Sequence, residues 1–189
     1  MDHPTRLLQR RRDAGDPQAG EALLRARIRA GQVRVQRIAL LALCGHELAR
    51  ELTGTPLAPG YRQWKRAARG AGKRAALEAA AAASRVALPT TPALEELLCC
   101  VDAWCAAPRR EAQDAIVAAH RAALERCREE LARAGQLDAA CLAGVLLNRK
   151  ADASSVVARL VLALLRRTPG RDELLAAMRE VLEARTLIP

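Results

Sequence analysis

The sequence predicts an all-α protein, an irregular helical array or orthogonal bundle of about eight or nine helices. Three observations lead there. Apolar residues recur at helical spacing, and no segment alternates with period two for long enough to be a strand. Segment ends carry helix punctuation: Asp or Thr before a start, Gly after a stop, Pro at either flank. Aromatic residues make up only 2%, with Tyr61, Trp64 and Trp104 the full set, so the core is built from Leu, Val, Ile and Ala. Small aliphatic side chains suit closely packed helices better than sheets. With 189 residues, 51% of them hydrophobic, the chain is long enough to bury a core without disulfides or metals. One domain over 1–189 is expected, and residues 53–60 are the place where a boundary would fall.

The elements follow in order. Asp16-Pro17 sets an N-cap before a proline at the first helical position, and Gly31 ends that helix. Residues 33–44 form the next, with Ile38 to Cys44 apolar on all sides, the mark of a centrally buried helix. Gly45 breaks it, and a short helix from His46 stops at Thr53-Gly54. A loop leads to a helix over 61–88 that Gly70 and Gly72 weaken and divide into two if either breaks it. Thr91-Pro92 starts another, with Leu94, Leu97, Leu98, Val101 and Cys105 at helical spacing. Pro108 opens the longest helix, to Ala134, closed by Gly135; 137–147 is apolar again. Asp152 caps a helix with a wide stripe from Val156 to Leu165, and Arg171 to Arg185 is the last. The corner Arg29-Ala30-Gly31-Gln32-Val33 recurs as Arg133-Ala134-Gly135-Gln136-Leu137, each followed by an apolar helix. Either any helix–Gly–helix corner reads this way, or a helix-hairpin unit is duplicated.

The net charge is +10 and the pI about 10.3. A basic surface attracts phosphate backbones, anionic lipid or acidic partners. Of 31 basic residues only Lys65, Lys73 and Lys150 are lysine. Compositional bias of a GC-rich genome explains arginine in place of lysine, but not the excess over 21 acids. The sharpest charge feature is Arg62, Arg66, Arg69 and Lys73, spaced to share one helix face, with Lys65 and Arg74 flanking and Tyr61 and Trp64 at its start. Such a stripe is the candidate anion or nucleic-acid face. No helix-turn-helix or zinc-finger signature accompanies it, and Trp64 reads as a buried anchor.

No catalytic, cofactor or metal site is expected. Cys99, Cys100 and Cys105 are one, five and six residues apart, and none of these spacings presents two ligands from a helix to one ion. Cys44 falls at a helix C-terminus, where the dipole disfavours thiolate, and Cys99, Cys100 and Cys127 fall mid-helix. Of the histidines, His3 lies in a frayed terminus, His46 is a capping or packing residue, and His120 shares a stripe with Ile116, Ala123, Cys127 and Leu131 as a hydrogen-bonded core residue. Gly70-Ala71-Gly72-Lys73-Arg74 lacks the strand and spacing of a phosphate loop. Glu95-Glu96 and Glu129-Glu130 read as solvated ion-pair formers. No secretion signal or membrane-length apolar run is present, which places the cysteines in a reducing cytoplasm as small hydrophobes.

From Glu21 to Gly54 the chain reads Leu-Leu-Arg-Ala-Arg-Ile-Arg-Ala-Gly, an apolar helix, then Cys-Gly-His-Glu-Leu-Ala-Arg-Glu-Leu-Thr-Gly. This resembles a segment of uncharacterised Ala/Arg-rich helical proteins of GC-rich bacteria, myxobacteria among them. Gly45-His46 with Ala49-Arg50 is similar to helix pairs of Sel1-like and HEAT-like repeats, and the remainder resembles Ala-rich immunity-type proteins. With no catalytic constellation, a helical-repeat likeness and a charged exterior, the expected function is a non-enzymatic interaction module, an adaptor, regulatory or immunity-type protein with a protein partner. Nucleic-acid binding through the basic face at 62–74 is the alternative.

Overall fold

The computed structural model describes residues 4–14, 16–33, 35–55, 59–107, 109–148 and 150–187. Those residues form twelve helices: α1 (Pro4–Asp13), α2 (Pro17–Arg29), α3 (Val35–Leu43), α4 (Glu47–Thr53), α5 (Tyr61–Ala71), α6 (Lys73–Ala87), α7 (Pro92–Ala106), α8 (Arg110–Ala119), α9 (Arg121–Arg133), α10 (Leu137–Leu147), α11 (Ala153–Arg167) and α12 (Arg171–Leu187). The protein is all-α, and no strand occurs among the described residues.

Local chemistry sets many of the boundaries. The Asp16 carboxylate accepts from the Gln18 and Ala19 amides at 3.0 and 3.2 Å, and Thr91 Oγ1 accepts from Leu94 N at 3.2 Å. His46 caps α4, its Nδ1 accepting from Ala49 N at 3.3 Å. Gly31 and Gly135, the two glycines of the recurring corner, both take positive φ, 69° and 76°. In each, the amide after the glycine donates back to the residue that opens the last helical turn: Gln32 to the Arg27 carbonyl (2.9 Å) and Gln136 to that of Leu131 (2.8 Å). That pattern closes a helix with a left-handed residue, which glycine adopts without steric cost. The resemblance ends at the corner. α9 and α10 pack against each other as a hairpin, whereas α3 lies on α5, α4 and α12 rather than along α2.

Three features raise the helix number above eight or nine. α1 adds a helix ahead of Asp16, where the punctuation gives none, held on α2 with Leu8 partly buried. Gly72, at φ 89° and ψ 158°, divides 61–88 into α5 and α6. The long helix expected through 134 is interrupted at His120 (φ −106°, ψ 14°), giving α8 and α9; Pro108 lies outside the described residues.

The centre of the fold holds a second buried helix beside the expected one. α3 is buried over Ile38 and Leu40 to Leu43, and α6 packs against α5, α7, α11 and α12. Its Ala76, Leu77, Ala79 to Ala83 and Ser84 are all buried. Alanine has almost no side chain to keep neighbours away, which lets helices pack closely on such a face. Ser84 hides its hydroxyl by donating to the Ala80 carbonyl at 2.8 Å. A single apolar cluster runs from Leu23 to Leu182, and it includes Leu48, Ala49 and Trp64 on either side of residues 53–60. No helix among the described residues is long and apolar enough to cross a membrane.

Candidate interaction surface

α5 is a strongly two-faced helix. Trp64, Ala67 and Ala68 are buried against α3, α6 and α11, and Arg62, Arg66 and Arg69 are exposed on the opposite side. Trp64 is 1% exposed, so its ring anchors the helix and offers no stacking surface; Tyr61, 40% exposed, is the aromatic at the open end. Gly70 has a separate role from the weakening expected of it. The α3 backbone crosses it so closely that the Gln36 carbonyl occupies the space where a side chain would begin. The crossing brings the first turn of α3, with Val35 and Arg37 exposed, beside the end of the basic face.

The six expected cations separate into two groups. Because the chain turns at Gly72, Lys73 and Arg74 leave the α5 face and point into the molecule. The Lys73 ammonium donates to the Val145 carbonyl at 3.1 Å and sits 5.0 Å from the centroid of the Trp104 ring. Arg74 donates to the Ala107 carbonyl. These contacts give Lys73 a cation–π partner and tie α6 to α7 and α10. On α5, Lys65 lies 3.1 Å and Arg69 3.6 Å from Asp152, the N-cap of α11. Arg62 and Arg66 have no counter-ion among the described residues.

Asp152 is therefore a hub that the sequence shows only as a cap. Its carboxylate accepts from the amides of Ser154 and Ser155 (3.2 and 3.4 Å), from the Ser155 hydroxyl at 2.6 Å and from that of Ser154 at 2.5 Å. The hydroxyls of Ser154 and Ser155, and then Lys65, hold its pKa well below the usual carboxylate range. Asp152→Ala is expected to cost about 1 kcal/mol, the usual loss for a helix N-cap. The pH dependence follows from the depressed pKa. The contribution is present above the unfolded-state value near 4 and is lost as pH falls through the lower folded-state value. Urea melts at pH 7 and pH 3 check this: the wild-type advantage over Asp152→Ala is largest at neutral pH and shrinks in acid.

Several other ionisable groups make contacts that hold helices together or are buried. One guanidinium nitrogen of Arg126 lies 2.9 and 2.8 Å from the two Glu96 oxygens, joining α9 to α7. The Arg126 hydrogen bond lowers the Glu96 pKa. The Cys127 thiol donates to the same carboxylate at 3.4 Å, and burial followed by that neighbour pushes its pKa up to about 12. Burial raises Cys44 strongly and Cys100 as well, so these thiols stay protonated and pack as apolar groups. Cys99 is exposed. Glu129 pairs with Arg133 at 3.1 Å along α9, a solvated pair of the expected kind. His120 is a correction: it stands exposed at the α8–α9 junction, while Cys127 and Leu131 of its expected stripe are buried. His46 Nε2 approaches Glu183 of α12 at 3.9 Å; His3 lies outside the described residues. Among the described residues no group of three or more His, Cys, Asp and Glu is placed to hold a metal ion.

No protein family, curated protein or solved structure matches this chain.

Proposed function

We propose that the protein is a non-enzymatic interaction module, an adaptor, regulatory or immunity-type protein of a bacterial cytoplasm, that docks an acidic protein partner on the outer face of α5. The observation that carries this reading is the pair Arg62 and Arg66: exposed, on a helix whose other face is locked into the core, and without a counter-ion among the described residues. Cations held on a packed helix lose little backbone freedom when a partner binds. Each exposed ion pair is worth only about 0.2–1 kcal/mol, so the arginines steer and orient the partner rather than supply the affinity. Tyr61 and Val35, 40% and 38% exposed, add apolar area, and Arg and Tyr are residue types that interface hot spots favour. The reading of the cysteines as small hydrophobes is supported by the burial of Cys44, Cys100, Cys105 and Cys127.

Nucleic acid is the competing ligand, and two observations weigh against it. Trp64 is unavailable for base stacking. Lys73 and Arg74 are turned inward and Lys65 is paired, which leaves Arg62, Arg66 and the loosely paired Arg69 to reach phosphates. The test is affinity purification of the tagged protein from its native host, with and without nuclease, for wild type and the double variant Arg62→Glu/Arg66→Glu. Because both positions are exposed, the variant is expected to keep its stability within about 0.5 kcal/mol and to lose a stoichiometric, nuclease-resistant protein. Recovery of nucleic acid instead, with all protein leaving on nuclease treatment and binding falling steeply with salt, overturns the reading.

A further inference from the structure

α8 is held differently from its neighbours. It has no fully buried residue and leans mainly on α7. Its apolar side, Ala112, Ile116 and Val117, is only partly covered. An amphipathic helix normally buries that stripe in the core. Here part of it faces an open cleft of about 570 Å3. The apolar wall is Trp104 from α7, Val117 from α8, and Leu146 and Leu147 from α10. The charged lining is Lys73, Arg110 and Arg121, against the carboxylate of Asp114. This volume falls within the roughly 300–1,000 Å3 of sites that enclose small organic ligands, and the mix of an apolar wall with a few polar groups is typical of them.

We propose that this cleft binds a small organic anion with an aromatic or branched apolar body. The body lies against Trp104, Val117, Leu146 and Leu147, and the anionic group is held by the cations. The charge balance among the described lining residues selects an anion over a neutral or cationic ligand. Lys73 is positioned in advance by the Val145 carbonyl and the Trp104 ring, so its positive charge is a fixed part of the wall. Arg110 and Arg121 are exposed at the rim. Arg121 is only loosely engaged by Glu125, at 3.8 Å within α9, so it can turn to an anion at small cost. Arg110 has no counter-ion among the described residues. The concave shape distinguishes this site from the convex face of α5, and the two proposals stand or fall separately.

The probe is naphthalene-1-sulfonate, with the neutral 1-naphthol as comparator, titrated into the full chain by calorimetry and by 15N-edited NMR. Two tryptophans give two indole N–H signals. Trp104→Phe assigns the one from the cleft. The expected result is saturable one-to-one binding in which the Trp104 signal moves and the Trp64 signal does not. Binding weakens at least ten-fold in Arg110→Ala/Arg121→Ala and is at least ten-fold weaker for 1-naphthol. Both arginines are exposed, so the variant keeps its fold. Three results would overturn the proposal: no saturation at millimolar probe, equal affinity for the neutral comparator, or unchanged affinity in the double variant.

Discussion

Gly70→Ala is expected to destabilise the protein by about 2 kcal/mol, although helix propensity alone makes it a stabilising change. Glycine within a helix costs about 1 kcal/mol relative to alanine, and exchanging the two inside α5 recovers that amount. The crossing with α3 outweighs it. A methyl built at Gly70 would sit within 3.0 Å of the Gln36 carbonyl oxygen and 3.1 Å from its carbonyl carbon. The obstacle is backbone, so no side-chain rotation relieves it, and α3 and α5 must separate. Forcing atoms into a packed interior typically costs about 1–3 kcal/mol, and a methyl driven against a backbone that cannot rotate away belongs at or above the top of that range. For a chain of this length the net loss lowers Tm by roughly 4–8 °C. Thermal melts of Gly70→Ala beside Gly144→Ala, where a methyl meets nothing within 4 Å, separate crossing from propensity. Equal or raised stability at both sites would show that the crossing is not tight.

The larger effect is expected at the centre. Ala80 is fully buried on α6, and leucine is as good a helix former as most residues, so local preference is indifferent to Ala80→Leu. Packing is not. α6 has α5, α7, α11 and α12 around it, and Ala80 is 0% exposed, so the added branched carbons must displace packed neighbours. The expected cost is about 3 kcal/mol, seen as a Tm lower by roughly 6–12 °C or as loss of a single cooperative transition. Val86→Leu, on the exposed surface of the same helix, is expected to stay within about 0.5 kcal/mol. Wild-type stability in the Ala80→Leu variant would mean that the alanines line slack space.

These two sites mark where local reading of the sequence stops. Caps at Asp16, Thr91 and Asp152 and corners at Gly31, Gly45 and Gly135 are legible because each is decided within a turn of helix by its own side chain or backbone freedom. The interruption at His120 is not, since no proline or glycine stands there; α8 follows α7, while α9 packs on α7 and α10. The run of alanine in α6 has no contrast between faces, so the leucine-rich α3 gives the louder signal for a central helix. α1 is so heavily charged that only its contact with α2 shows it to be a helix. The spacing of Arg62, Arg66 and Arg69 places them correctly on one face, because helical period suffices for that. Their relation to Asp152, and the approach of Lys73 to Trp104 and Val145, join residues far apart in the chain. No short-range pattern encodes such pairs.

The closing of α6 by α12 bears on how the protein is made. Translation at roughly 5–20 residues per second leaves α6 outside the ribosome for some seconds before α12 follows. During that interval the alanine face that α12 later covers stands open to water. The pairs α1–α2, α3–α4 and α9–α10 lie close in the chain and can assemble as they emerge. The centre waits for the helix made last among those described. A nascent chain halted before Arg171 is thus expected to hold formed helices around an unsealed middle, the species most in need of a chaperone.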